Sequence, residues 1–469
     1  MDKGKVKEKS VWNLLDRFSG DKVILMVTVL LMLISVISVF SSTPLLVDSG
    51  KGIDRVAIMV KQLKAVGAGL VVGILFYLLG RSKYYKAFAL FGLGISLVSL
   101  AILVFNLNLG IVKAGVINGA RRVILFHGKQ IHVYEFVKVF MVIYIAWALD
   151  TFKRDGFGIL NRWAARSEKM AWIGRPGWQK IICIYLPMFA VIVMVMMGSN
   201  SSALFLAIIM ILMILIGGLD AKDVVFAVLV LGVAVGGFFL AYKAGILKDS
   251  RFGTAISRIM GDDEKLMDQL VNSPQESTAW KSARDKLKQP VGAQIAIKEG
   301  GILGKGIGNS TQKYAVPVIF GDYMFSFIIE ETGIAGALFI ILLYFSLLAR
   351  GTLVAKDCDD YFDKMLVVGL IMLVTGQAFM HMAVNVHLPF VPQTGQTLPL
   401  VSHGTSSFLV FSAVFGMLLS ISREVHYKMK QREDNAEPLL EHKLSEGDNS
   451  VGDRMDDLEA LESLDDYQQ

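Results

Sequence analysis

Apolar residues in this chain gather into windows of about 20 that carry few charges, the length a helix needs to cross a hydrocarbon core roughly 30 Å thick. Ten such windows lie at residues 23–47, 63–80, 88–107, 134–149, 181–197, 203–218, 224–241, 323–348, 365–386 and 408–421. In lipid every backbone amide must be satisfied within its own segment, so each window predicts a helix. The expected architecture is an all-α polytopic membrane protein of about ten transmembrane helices. The first window is too long for a secretory leader, and no small-residue cleavage site closes it.

Polar positions then orient the helices. Lys3, Lys5, Lys7, Lys9, Arg17 and Lys22 precede the first window, and Arg81, Lys83 and Lys86 follow the second. Lys153, Arg154, Arg162, Arg166, Lys169, Arg175 and Lys180 follow the fourth; Arg350, Lys356 and Lys364 follow the eighth; Arg423, Lys428, Lys430 and Arg432 follow the last. Alternate loops put all of these on one side, so both termini are expected in the cytoplasm. Lys113, Arg121, Arg122 and Lys129 break the rule, because they sit in the outer loop after the third window. Bases retained there suggest an anionic ligand, with local acidic partners as the plainer alternative.

Composition supports the membrane class: of 469 residues 54% are hydrophobic and 19% charged, whereas soluble domains carry about a quarter charged. The net charge of +6 follows from topology, and no basic stripe interleaved with aromatics points to nucleic acid. Cys183 falls inside a window and Cys358 in a cytoplasmic loop, so both thiols are expected to stay reduced.

Two segments depart from the membrane pattern and divide the chain. Residues 1–22 form a cytoplasmic arm and 23–423 the membrane domain. Within the latter, residues 246–320 make a large outer loop between the seventh and eighth spans, with amphipathic helices expected over 263–271 and 278–287. A loop of that length usually carries function. Residues 424–469 are expected to be a disordered cytoplasmic tail, acidic and nearly free of aromatics from about Glu433 onward, with 455–464 able to form a short helix on a partner.

Several residues could carry chemistry. The run from Gly300 to Ser310 contains Gly304, Gly306 and Gly308 in alternation. A dinucleotide site would need a strand before it and a helix after it, so backbone freedom in a loop at the membrane interface is the better reading. Asp322 opens the eighth span, where partial desolvation would raise its pKa and suit it to act as a base; as the residue before an apolar run it could equally be a helix N-cap. Glu330 and Glu331 lie inside that span, where ionisable groups are normally paired or functional. Glu135 and Lys138 can share a helix face and pair, structurally or in binding. His127, His132, His381, His387 and His403 lack the spacing of a zinc site, and no metal site is expected from them.

Three of these blocks together resemble a known family. Residues 304–313, followed by Pro317, Asp322, Phe325, Glu330, Glu331 and Gly333, are similar to the signature of SEDS proteins, named for shape, elongation, division and sporulation. Asn118 to Arg122 with Glu135 and Lys138, and Thr394 to Ser402 with Gly404, Ser406 and Ser407, match two further blocks in the right order. Asn309-Ser310 and the long tail look more like the division branch, FtsW, than the elongation branch, RodA. The chain departs from the family pattern at Val123, Val133-Tyr134, Asn200 to Ser202, Val318 and His403 to Thr405, and is about two residues longer between Gln377 and Thr394.

The resemblance implies a peptidoglycan glycosyltransferase in the bacterial inner membrane, polymerising lipid II into glycan strands at the periplasmic face during cell division and expelling undecaprenyl pyrophosphate. It implies Asp322 as the catalytic base, and Arg122, Lys138 and Lys313 as candidates for holding phosphate. Gln312, Glu135, Asn309, Ser310, Ser402, Ser406 and Ser407 match family positions expected to bind substrate. It further implies a divalent cation, magnesium or manganese, as a helper, a class B penicillin-binding protein as partner transpeptidase, other division proteins, and a place at the septum. Two other functions fit the same pattern: a flippase for lipid II, and a scaffold that recruits the transpeptidase without catalysis.

Overall fold

The computed structural model describes residues 18–43, 55–110, 112–117, 120–127, 129–243, 262–316, 319–388, 391 and 395–445. Asn118, Gly119, Pro317, Val318 and Thr394 of the matched blocks, most of the arm, residues 246–261 of the outer loop, and 455–464 of the tail lie outside them.

Each apolar window is a helix. They are α1 (Lys22–Ser42), α2 (Arg55–Leu79), α3 (Ser82–Val104) and α4 (Val133–Arg154). After α5 (Gly158–Arg166) come α6 (Pro176–Met196), which contains one π-turn, α7 (Asn200–Ile216) and α8 (Ala221–Lys243). The segment after α8 supplies α9 (Asp262–Asn272) and α10 (Thr278–Gly300), followed by α11 (Met324–Asp357), α12 (Tyr361–Asn385) and α13 (Thr405–Ser445). Among the described residues seven helices, α1, α2, α3, α6, α11, α12 and α13, are long and apolar enough to cross a membrane. The windows at 134–149, 203–218 and 224–241 are α4, α7 and α8.

Three expectations need correction. The protein is not all-α: residues 112–132 form an antiparallel sheet in the order β1 (Val112–Ile117), β2 (Ala120–Phe126), β3 (Lys129–His132). Val123 pairs with Gly115 on one side and His132 on the other. Asn-Gly, a strong hairpin dipeptide, separates β1 from β2 in the sequence and β-branched residues flank it, so the signal was present but short. Second, α10 runs well past Leu287 and carries Pro290 in its interior. Ala283, Gly292, Ala293, Ala296 and Gly300 are all buried along it, and small residues let its backbone lie close to α11. Third, helix replaces the expected unstructured tail as far as Ser445, because α13 continues beyond the apolar window.

Three of the bases assigned by alternation to one side, Lys86, Arg154 and Arg350, pair with acids at helix ends. Lys86 pairs with Asp150 at 3.2 Å and Asp360 at 2.8 Å, and Arg154 reaches the same two carboxylates at 2.9 and 3.0 Å. Arg350 binds Asp21 at 2.7 Å, and Asp21 also caps α1 by accepting from the amides of Val23 and Ile24. The sheet and the turn bearing Asp322 belong to the connections at the other ends of these helices. α12 occupies the centre, with Phe362, Leu366, Leu370, Val374 and Ala378 fully buried along its length.

Candidate functional site

A one-turn helix, Ile319–Asp322, carries Asp322 to the start of α11. Its backbone is tied down from two elements distant in sequence. Ser402 donates to the Gly321 carbonyl at 2.7 Å, and the His403 amide donates to the Phe320 carbonyl at 2.9 Å. Asn385 Nδ2 donates to the Asp322 carbonyl at 3.0 Å, while its Oδ1 accepts from the Ser326 amide at 3.0 Å. His381 Nε2 accepts from the Phe325 amide at 3.3 Å, so Nδ1 carries the proton and donates to the Gln396 carbonyl at 2.7 Å. The first amides of a helix lack intrahelical partners. Here His381 and Asn385 of α12 supply them, and no side-chain cap comes from the N-cap residue Tyr323. The capping alternative for Asp322 is thereby taken over by two other residues.

The Asp322 carboxylate keeps its lone pairs. Among the described residues no hydrogen bond reaches it. It lies against the backbone of Gly395, where an added Cβ would come within 2.9 Å of Oδ2. The side chain is partly exposed. Burial among its neighbours pushes its pKa up to about 6, and the facing Arg122 guanidinium opposes that rise. Arg122 projects from β2, half-buried, and its Nε donates to the Gly198 carbonyl at 3.4 Å. A carboxylate of this pKa is mostly ionised at neutral pH yet basic enough to accept a proton, and the charge of Arg122 acts on it.

Lys138 is placed differently from a free phosphate-binding cation. It is 1% exposed and donates to Glu135 at 2.9 Å, to Gln377 Oε1 at 2.5 Å and to Gln396 Oε1 at 3.4 Å. Gln396 in turn donates from Nε2 to Ser202 Oγ at 3.0 Å. A buried ammonium needs such a complete set of acceptors. Through Gln396 this network adjoins Gly395, and so the backbone on which Asp322 rests.

The glycine-rich run is a separate structure, wrapped around Glu330 and Glu331. Helix α11 breaks at Gly333 (φ 70°, ψ −172°), a left-handed conformation that favours glycine. Around the break the Lys305 and Gly306 amides donate to the Glu330 and Glu331 carbonyls, each at 2.9 Å, and the Ile334 amide donates to the Gly301 carbonyl at 3.0 Å. Glu330 accepts from Ser310 Oγ at 2.5 Å, Thr311 N at 2.7 Å, Gln312 N at 3.2 Å and Lys305 Nζ at 3.1 Å. Glu331 accepts from Ser41 Oγ at 2.5 Å and Gly308 N at 3.0 Å. Lys313 is 4% exposed and donates to the Gly308 carbonyl at 2.6 Å, and Asn309 donates to the Lys305 carbonyl at 3.0 Å. None of these contacts reaches Asp322.

Of the remaining positions matched to the family, Ser406 donates to the Gln130 carbonyl at 3.2 Å and Ser407 shares a 2.8 Å hydrogen bond with Thr397. The structure thus brings together Asp322, Arg122 and Ser402, and links Lys138 and Glu135 to them through Gln396. It leaves Lys313, Gln312, Asn309 and Ser310 in the loop knot. His381, Asn385, Gln377 and Gln396 were not singled out as site residues. Their polarity inside or beside a span was the available signal, but the residues they hold lie far away in sequence.

The family described as cell cycle protein, comprising FtsW, RodA and SpoVE, matches residues 21–427. A probable peptidoglycan glycosyltransferase FtsW of Bacillus subtilis is 28% identical over 424 residues, which cover 90% of this chain and 94% of that protein. The stage V sporulation protein E of the same organism is 33% identical over 149 residues, 32% of this chain and 40% of that one. Among solved structures, a chain of a peptidoglycan synthase complex that coordinates polymerization and crosslinking aligns over 87% of this chain and 98% of its own, with TM-score 0.57 and 19% identity. The rod shape determining protein RodA of Thermus thermophilus aligns over the same shares, with TM-score 0.52 and 19% identity. At that identity the structural likeness speaks for the fold.

Proposed function

The chain belongs to the FtsW, RodA and SpoVE family of cell cycle proteins, and from that membership we propose how it works as a peptidoglycan glycosyltransferase of the FtsW kind. Its substrate is lipid II. A new bond forms between the acceptor's GlcNAc 4-hydroxyl oxygen and the anomeric carbon of the donor, and the bond from that carbon to the polyprenyl diphosphate breaks. The α-linked donor becomes a β-linked product, so one in-line displacement accounts for the stereochemistry. The hydroxyl proton passes to Asp322, and the electron pair leaves with the diphosphate. Arg122, whose charge acts on Asp322, would stabilise that departing charge.

The observation that carries this reading is a partly exposed carboxylate that accepts no hydrogen bond among the described residues, on a turn whose backbone is held by Asn385 and Ser402. Lys138 and Glu135 act from behind, by fixing Gln396, the neighbour in sequence of the Gly395 that lies against the Asp322 carboxylate. Lys313, Gln312, Asn309, Ser310, Ser406 and Ser407 would meet the sugars or the diphosphate only at the edges of the loops they stabilise. Among the described residues no three His, Cys, Asp or Glu side chains group to hold a metal ion. Magnesium or manganese bound with the diphosphate would neutralise charge there.

The topology that supports this chemistry has ten spans with both termini in the cytoplasm, placing Asp322 at the periplasmic face of the septal membrane. A class B penicillin-binding protein is the expected partner, in keeping with the pairing of polymerization and crosslinking in the related synthase complex. Purified protein with Asp322→Asn, given lipid II, tests the reading. Loss of glycan strands from a protein that remains folded supports it, and undiminished polymerisation overturns it.

A further inference from the structure

Residues 156–178, between α4 and α6, form a compact element with two faces. Phe157 and Leu160 are buried, and Ile173 packs against the same core. The opposite face exposes Ile159 (55%), Trp163 (56%), Met170, Trp172 and Trp178. Ile159 and Trp163 are four residues apart in α5 and so share its outer side. Arg162, Arg166, Lys169 and Arg175 are exposed around them, and none of the four is ion-paired among the described residues; Glu168 is the one acid in the segment.

The element is held rigidly. Buried Gln179, at the start of α6, accepts from the Phe157 amide at 3.2 Å and donates to Asn161 Oδ1 at 2.5 Å and the Gly174 carbonyl at 3.2 Å. Gly156 has φ +71°, and an added Cβ there would come within 2.7 Å of Gln179 Oε1. One amide thus staples the beginning, middle and end of the segment. Its position is fixed too, because α6 is long and apolar enough to cross a membrane and begins at Pro176, two residues before Trp178.

We propose that this segment is a membrane-surface foot that binds acidic phospholipid headgroups, with its tryptophans at the headgroup boundary and its four cations on the lipid phosphates. Exposed tryptophans in water would be costly, whereas amphipathic rings are favoured at that boundary. Charge decides the lipid class: four cations against one acid select an anionic surface over a zwitterionic one. The same charges argue against an apolar protein groove as the occupant.

The test uses the full chain in nanodiscs of phosphatidylcholine with a minor fraction of phosphatidylglycerol. Fluorescence attributable to the foot is taken as the difference between wild type and W163F or W172F. We expect it to be blue-shifted and quenched more strongly by lipids brominated near the glycerol than by lipids brominated near the chain ends. Enrichment of phosphatidylglycerol around the protein should fall by on the order of twofold in the quadruple variant R162Q/R166Q/K169Q/R175Q. Because these residues are exposed and unpaired, the variants should fold. Unquenched, water-like tryptophan emission would overturn the proposal and leave the face to a cytoplasmic protein, and so would equal phosphatidylglycerol enrichment in the quadruple variant.

Discussion

Asp322 and Glu330 lie eight positions apart in one stretch of chain, yet the fold uses their carboxylates in opposite ways. Glu330 is fully buried and accepts from Ser310, Thr311, Gln312 and Lys305, so its oxygens are saturated by the loop they organise. Asp322 is partly exposed, and its hydrogen bonds run through its backbone carbonyl to Asn385. A carboxylate whose lone pairs are filled by donors is a structural anion. One whose backbone alone is held can take a proton from something else. The difference teaches that the acidic residue able to do chemistry is the one whose oxygens no described donor fills.

The largest effect expected from this contrast is on turnover. Asp322→Asn should reduce lipid II polymerisation by on the order of 10³-fold while leaving thermal unfolding in detergent almost unchanged. Glu330→Ala should do the reverse, lowering stability by on the order of 3 kcal/mol through the donors it leaves unsatisfied, as read by thermal unfolding. Should both variants lose activity and stability together, the two carboxylates are not distinct in kind. Arg122→Gln should lower kcat by on the order of 10²-fold if the guanidinium stabilises charge developing on the leaving group. His381→Ala should cost about tenfold, because it frees the Phe325 amide and the Gln396 carbonyl and lets Asp322 shift against Gly395. Its pH–rate profile should be displaced along with its rate, which a loss of folded protein alone would not produce.

How much of this was legible beforehand differs between the helices and the site. The helices follow from apolar windows because lipid admits so few alternatives, and each window became a helix with ends shifted by several residues. The sheet was missed because its alternation is brief and lies between long apolar runs, although Asn118-Gly119 carried a hairpin signal. Helix α10 outran its expected end because small residues beyond Pro290 pack it against neighbours, a tertiary cause that local propensity does not register. In the site, Asp322 could be singled out by its place at a span mouth, but not separated from an N-cap. That required His381 and Asn385, which meet it only after α12 has packed against α11.

Three of the positions that depart from the family pattern have structural partners of their own. Tyr134 donates to the Arg121 carbonyl at 2.9 Å, Ser202 accepts from Gln396 at 3.0 Å, and His403 Nδ1 lies 2.9 Å from Gln62 Oε1. Each bears on an element that frames Asp322: β2, the Gln396 loop and the loop holding Phe320. The departures are therefore built into the frame, which keeps Arg122 and Asp322 facing each other.

The most direct test is the pH dependence of kcat/KM for lipid II polymerisation, which reports the pKa of an essential group in the free enzyme. Burial raises Asp322 to about 6, and the base must be ionised to act, so the rate should climb with pH and level off above an inflection near that value. The residual activity of Asp322→Asn should show no such inflection. An identical inflection in that variant, or a wild-type rate that does not change through that pH, would contradict the assignment of Asp322 as the base.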